Sequence, residues 1–298
     1  MSVACVDIAF SLNRALKVPL LVVINSILRN QTTSSESQIA AVPIRFNIVV
    51  PSGDVDFFTQ SLIAAFDQYD PSFFRVRSFT PPDFLKQYLD NKFKEKKAER
   101  RISRYMQYAR LFLKEIFPDV SRVIYLDGDT LVLGNVRSLF NQGSQLTAER
   151  YLAAVPQLFP AVFYFTNPFK MWADLRKFKS TFNSGVLLTD LNFWDSHTYE
   201  LLHHYLNLDA KNSYSLYNLG DETVFNLMFK DTYIPLNKQW NCWGYGQMHI
   251  VAGWLKYVRS FHKMRIVHWS GGHHKPWQSD RVTYSDLWRS YLPVKADS

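Results

Sequence analysis

Two carboxylates close an apolar run in Arg122-Val-Ile-Tyr-Leu-Asp-Gly-Asp-Thr-Leu-Val-Leu133. Residues 123–126 are apolar and partly β-branched, the pattern of a strand buried on both faces. Asp127 and Asp129 stand two apart, and in extended backbone such side chains share a face. Their charges then converge and call for a cation. Carboxylate oxygens are hard ligands suited to Mg²⁺ or Mn²⁺, and an ion held by few protein oxygens keeps positions open for phosphates. The competing reading is a solvated turn, since Asp and Gly are common turn residues. A second chemical stretch is Met264-Arg-Ile-Val-His-Trp-Ser-Gly-Gly-His-His-Lys-Pro-Trp277. There a strand delivers His268 into a glycine-rich loop that ends in Lys275. Glycines let backbone N–H groups approach phosphates, and a lysine adds positive charge to a diphosphate.

The elements that must position these groups alternate. Residues 3–10 read as a strand, 11–14 as a polar turn and 19–28 as an apolar helix, the order in which a nucleotide-binding α/β unit begins. Strands are expected at 43–50, 73–79, 151–156 and 182–190, and helices at 57–69 and 105–117, the latter ended by Pro118. Residues 31–38 read as a surface loop and 159–178 as a loop-rich aromatic insertion. Asn183 would offer an amide to a ligand, and Gly185 would allow close backbone approach to it. Asp221 is either a functional carboxylate or the N-cap of the following helix. The whole predicts an α/β fold with a mostly parallel sheet and helices on both faces.

Composition bounds the rest. The chain has 298 residues, 47% of them hydrophobic, with 23 Phe, 16 Tyr and 8 Trp, enough to bury a large core. A formal charge of +8 favours anionic partners. The basic run 91–104 reads as a solvated face or a docking surface for an acidic acceptor; no nucleic-acid module accompanies it, so nucleic acid is not an expected partner. Two cysteines, Cys5 and Cys242, exclude a disulfide scaffold and leave pairing open. The apolar stretch 18–28 is too short to span a bilayer and reads as part of the fold. Asn30-Gln-Thr32 is a glycosylation sequon.

Leu126-Asp-Gly-Asp-Thr resembles the DxD element of nucleotide-sugar glycosyltransferases, and its context is similar to glycosyltransferase family 8, the group containing glycogenin and the plant galacturonosyltransferase-like proteins. Matching segments occur in the family's order from about Asp7 to Leu292. The resemblance implies one GT-A-type domain over residues 1–298, binding a UDP-sugar with Mn²⁺ or Mg²⁺ and transferring a hexose or hexuronic acid to a glycan with retention of configuration. By the same resemblance Phe10, Ser11 and Asn13 lie near the uridine. Tyr108 and Arg110 match a family helix, with Arg110 near the acidic pair or the donor sugar. Asp127, Gly128, Asp129, Asn183, Gly185, Gly271 and Lys275 contact the donor, and Asp127, Asp129 and His268 ligate the metal. Asp221, Glu222 and Lys275 are the catalytic candidates. Many members have Asp-Gln where this chain has Asp221-Glu222, so the glutamate adds a charge. The HWSG…KPW segment is similar to the plant branch, which implies polysaccharide biosynthesis for the cell wall in the Golgi lumen; Gly220-Asp-Glu-Thr223 is closer to the glycogenin and bacterial members, for which a cytoplasmic location follows. The rival reading is a non-catalytic UDP-sugar or glycan binder with a relic site.

Overall fold

A computed structural model describes residues 5–31, 42–157, 159–246, 263–272 and 274–294. Most of the expected 31–38 loop and His273 lie outside the described residues. In chain order the elements are β1 (Val6–Ser11), α1 (Lys17–Arg29), β2 (Ile44–Val50), α2 (Val55–Ala65), β3 (Phe74–Ser78), α3 (Asp83–Phe93), α4 (Ala98–Ala109), α5 (Leu113–Ile116), β4 (Arg122–Leu126), β5 (Thr130–Val132) and α6 (Val136–Asn141). They continue as β6 (Leu152–Gln157), α7 (Trp172–Leu175), β7 (Thr181–Asp190), α8 (Ser196–Lys211), α9 (Asp221–Phe229), β8 (Ile234–Pro235), β9 (Ile266–His268) and α10 (Ser285–Arg289).

Seven strands form a sheet in the order β3-β2-β1-β4-β7-β6-β8. The strands β3, β2, β1 and β4 are parallel, and β7 runs antiparallel to both its neighbours. A parallel sheet must be covered on both faces, and the alternation along β4 does this. Val123 and Tyr125 enter one core with residues of α3, α4, α8 and α9, while Ile124 and Leu126 enter the other with residues of α1, α2 and α6. Because β2 lies on one side of β1 and β4 on the other, the chain order reverses at the β1–β4 pair. Open α/β sheets leave a ligand crevice beyond the strand ends at such a point.

After β4 the chain turns out of the sheet, and β5 pairs antiparallel with β9, placing Thr130 opposite His268. The other edge of β5 rests on α1: the Val132 N–H donates to Ser26 Oγ, and Asn30 Nδ2 donates to the Val132 carbonyl. Val22, Leu131, Val267, Trp269 and Trp288 seal this ribbon in a small core of their own. Asn30 Nδ2 also reaches the Ser26 carbonyl and Tyr291 Oη, so the sequon asparagine is committed to packing.

Three local expectations change. The helix expected at 105–117 is instead α4, a tight 3₁₀ turn over Arg110–Phe112, and α5. It starts inside the basic run because Ala98, Glu99, Arg100 and Arg101 are strong helix formers. Within that run Lys92 is not solvated: its Nζ lies 2.6 Å from the fully buried Asp209 carboxylate. Asp221 does not cap α9; Gly220 precedes it at φ +58°, ψ −130°, a conformation open to glycine, and Asp221 occupies the first turn. No disulfide is present among the described residues. Among them no helix is long and apolar enough to cross a membrane.

Candidate active site

The sheet registers assemble the acidic cluster. Beyond the Leu126–Val186 pair, the Asp127 N–H donates to the Gly185 carbonyl at 2.8 Å, which holds Asp127 opposite Gly185. Residues 127–129 then form a turn, fastened by Thr130 Oγ1 donating to the Asp127 carbonyl at 2.8 Å. The carboxylates therefore meet through a turn and not through strand alternation. The β5–β9 register brings in His268, whose Nε2 lies 3.2 Å from Asp129 Oδ1 and 3.8 Å from Asp127 Oδ2. One ligand atom from each of the three residues falls within 4.8 Å of the others. Gly185 makes this possible. A Cβ there would overlap the His268 ring and stand 2.7 Å from Asp127 Oδ2, so the close approach it permits is that of an imidazole.

A chain of amides fixes that imidazole. The Gly185 N–H donates to Asn183 Oδ1 at 3.1 Å, which sets the Asn183 amide, and Asn241 Nδ2 donates to the same oxygen at 3.0 Å. Asn241 Oδ1 must then face His268 Nδ1, 3.0 Å away, so Nδ1 carries the hydrogen. Nε2 is left with its lone pair toward the carboxylates, as in metal-ligating histidines whose second nitrogen is held by an amide or carboxylate. His268 and Asn241 are almost fully buried. Two carboxylate oxygens and a neutral imidazole fit a divalent ion such as Mn²⁺.

Lys275 is not presented on an open loop. Its Nζ donates to Asp129 Oδ2 at 2.5 Å and to the Trp269 carbonyl at 2.6 Å. Burial pushes the Asp129 carboxyl up, but His268, when its ring carries both hydrogens and no metal takes Nε2, outweighs it together with Lys275 and holds the group well below the usual carboxylate range. Arg110 is buried between Asp127 (2.9 Å), Asp221 (3.4 Å) and the Ser184 carbonyl (2.7 Å), with its guanidinium over the Tyr125 ring. Burial alone would weaken its charge; Asp127, Tyr125 and Asp221 more than restore it.

Two cavities meet on this cluster. One, of about 340 Å³, is lined by Ser11, Asn13, Ser103, Gly128 and Trp277; the other, of about 530 Å³, by Gln157, Asn183, Asp221, Glu222, Trp243 and Gly271. Both reach Gln107, Arg110, Asp127, Asp129 and Lys275. A larger cavity of about 620 Å³ beside β3 and α5 contains none of these groups. Ser11 Oγ is bonded to Tyr125 Oη, which donates to Asp127 Oδ1. Asn13 accepts from the Ala15 N–H and donates to Ser103 Oγ. Gly271 sits at φ +104°, as a tight loop requires. Phe10 and Tyr108 line neither cavity; both are fully buried in the cores, Phe10 because strand alternation turns it toward α1 while Ser11 takes the rim.

The two acids beyond the cluster differ. Asp221 Oδ2 is buried without a hydrogen-bond donor, and burial pushes its carboxyl up to about 6 against the pull of Arg110. Glu222 is fully served: Tyr164 Oη and Gln157 Nε2 donate to Oε1 and Asn183 Nδ2 to Oε2. Burial raises its pKa as well, with these donors opposing the rise. Sequence reasoning missed Asn241, Tyr125, Gln157 and Tyr164. Tyr125 sat inside the quoted strand, where its hydroxyl was the available signal; Asn241 belongs to no motif.

A family model for glycosyl transferase family 8 matches residues 7–281. Among curated relatives, the probable galacturonosyltransferase-like proteins 10 and 9 of Arabidopsis thaliana are 33% and 34% identical over 185 and 203 residues, covering 58% and 62% of this chain and 48% and 49% of theirs. The chain thus spans about half the length of these relatives. Glycosyltransferase GlyF of Streptococcus pneumoniae serotype 4 is 27% identical over 189 residues, covering 63% of this chain and 42% of its own. Among solved structures, galactosyltransferase LgtC in complex with donor and acceptor sugar analogs superposes with a TM-score of 0.64 at 20% identity, over 96% of this chain and 95% of that one. The fold is therefore that of the GT-A glycosyltransferases, and the chain belongs to glycosyl transferase family 8.

Proposed function

We propose that this chain is a metal-dependent, retaining glycosyltransferase that moves a hexose or hexuronic acid from a UDP-sugar to a glycan acceptor, within one catalytic domain. The observation that carries the reading is the Asp127–Asp129–His268 cluster at the junction of two cavities. In this reading the cavity beside Ser11 and Asn13 takes the nucleoside, and the one beside Asp221 and Glu222 takes the sugar and the acceptor end. The bond from the anomeric carbon to the diphosphate oxygen breaks, a bond to an acceptor hydroxyl oxygen forms, and that hydroxyl's proton passes to the departing diphosphate.

The departing diphosphate gathers negative charge. Lys275 stabilises it directly, and a divalent ion held by Asp127, Asp129 and His268 supplies Lewis-acid stabilisation of the same charge. Arg110 keeps Asp127 and Asp221 in place from the buried side. Asp221 Oδ2, ion-paired with Arg110 but without a hydrogen-bond donor, takes a donor hydroxyl. The net charge of +8 suits an acidic glycan acceptor, as in cell-wall polysaccharide. In this reading the synthesis takes place in the Golgi lumen; co-fractionation of the native protein with cytosol alone would refute the location.

A screen of UDP-sugars for Mn²⁺-dependent UDP release tests the activity. Turnover is expected with at least one donor and lost in Asp129→Asn. Metal-dependent binding without turnover on any donor and acceptor would instead identify a non-catalytic binder.

A further inference from the structure

We infer that the sugar half of the site selects a neutral hexose over a hexuronic acid, with Glu222 enforcing the choice; this rests on the UDP-sugar reading above. The plant relatives are named for a uronic acid, so the structure separates this chain from their printed names.

The argument is an inventory of donors and acceptors. A uronate carries a carboxylate in place of the hexose hydroxymethyl, and a buried carboxylate needs donors or a cation. Among the described residues lining that cavity, the basic side chains are Arg110, Lys275 and His268. Arg110 is divided among Asp127, Asp221 and the Ser184 carbonyl. Lys275 is tied to Asp129 and the Trp269 carbonyl, on the diphosphate side of the cluster. His268 has its Nδ1 hydrogen on Asn241. Of the three amides lining that cavity, the two beside Glu222 are committed, Gln157 Nε2 to Tyr164 Oη and Glu222 and Asn183 Nδ2 to Glu222, and the third, Gln107, is shared with the nucleoside-side cavity.

What the pocket offers instead is negative charge. Asp221 Oδ2 is buried with no hydrogen-bond donor, 3.4 Å from Arg110 Nε, and Glu222, whose oxygens already accept from Tyr164, Gln157 and Asn183, places a second carboxylate beside it. A remaining carboxylate lone pair can accept from a sugar hydroxyl. A sugar carboxylate cannot donate and adds a like charge in a partly desolvated space. At the Glu222 position an amide would have offered an N–H to an incoming carboxylate. The glutamate removes that donor and captures the two amides around it.

The test is binding of UDP, UDP-glucose, UDP-galactose, UDP-glucuronate and UDP-galacturonate, each with Mn²⁺, by calorimetry on the intact chain. The expected result is that the better neutral donor binds at least about tenfold more tightly than either uronate, the factor expected of one like-charge contact at low effective dielectric. In E222Q the discrimination should fall by a similar factor. Asp221→Asn is the second variant, with thermal melting alongside to certify the fold of both. A wild-type protein that binds a uronate as tightly as the neutral donors overturns the inference, as does unchanged discrimination in folded E222Q. Binding of UDP with no further contribution from any sugar also overturns it and leaves the nucleotide site standing. Failure to bind UDP at all removes the reading beneath it.

Discussion

Asn241→Ala isolates the amide chain that holds His268. The substitution removes the acceptor 3.0 Å from His268 Nδ1, in a region where His268 and Asn241 are 1% and 2% exposed and water cannot replace it freely. Two responses are open to the imidazole. It can keep its hydrogen on an unpartnered buried Nδ1, which costs about 1–3 kcal/mol. Or it can move the hydrogen to Nε2, which then points a donor at the carboxylates and is no longer a ligand. Either response weakens metal binding. Loss of such a supporting bond lowers metal affinity by about 10–100-fold, equal to about 1.4–2.8 kcal/mol, and the two estimates agree. Asn241→Asp is the control, because its carboxylate still accepts from Nδ1; it should bind Mn²⁺ within a few-fold of wild type. The assay is Mn²⁺ titration by electron paramagnetic resonance without donor, beside thermal melting. A folded Asn241→Ala protein with wild-type Mn²⁺ affinity would refute the tautomer argument, and so would Asn241→Asp binding as weakly as the alanine variant.

Gly185→Ala should drive the His268 ring off Asp127, lowering stability by about 1–3 kcal/mol and abolishing Mn²⁺ binding; an unchanged melting temperature with intact binding would contradict the packing shown at that position. Lys275→Ala should reduce kcat by about 10²–10³ and, because Nζ holds Asp129 and the Trp269 carbonyl, should also melt earlier than wild type; wild-type kcat in steady-state UDP release would count against it. Asp221→Asn should melt higher than wild type at neutral pH. Burial holds the Asp221 carboxyl at about 6 in the folded chain against 3.8 for an unburied aspartate, so its contribution to folding is present below about pH 4 and lost as pH rises through about 6. The variant's advantage, up to about 3 kcal/mol, should therefore grow between pH 4 and 6 and level off above; an advantage that shrinks with rising pH would have the wrong sign.

The sequence shows the chemistry of the cluster more clearly than its assembly. Asp127, Asp129 and His268 announce themselves because a carboxylate at the end of a buried strand and an imidazole before a glycine loop are costly unless used. How they meet depends on registers that no local pattern records. Strand periodicity suggested a shared face for Asp127 and Asp129, and a turn closed by Thr130 does the work instead. Gly185 reads as room for a ligand until its neighbour proves to be His268. Asn241 is silent in sequence because its partners, Asn183 and His268, are distant along the chain. Phe10 shows the limit of carrying a site over by position, since one step along β1 separates a rim residue from a core residue. The parallel strands β1 to β4, by contrast, were legible because strands buried on both faces leave a local record, whereas α3 and α8 drew no expectation.

The β5–β9 ribbon has a kinetic consequence. It stands outside the seven-stranded sheet and joins Thr130 to His268 across more than a hundred intervening residues, a loop whose closure is entropically expensive. The main sheet contains neither strand. A chain whose sheet is complete and whose ribbon is open would show nearly native secondary structure and yet lack its third ligand. Readiness to bind a metal would then mature after the bulk of the fold, and local opening of the ribbon would undo the site without unfolding the sheet. Because Asp127, Asp129 and His268 would hold a divalent ion between the approach to β5 and the end of β9, adding Mn²⁺ should slow hydrogen exchange at the Val132 and His268 amides, which bond Ser26 Oγ and the Cys242 carbonyl, more than at amides inside β1 or β2.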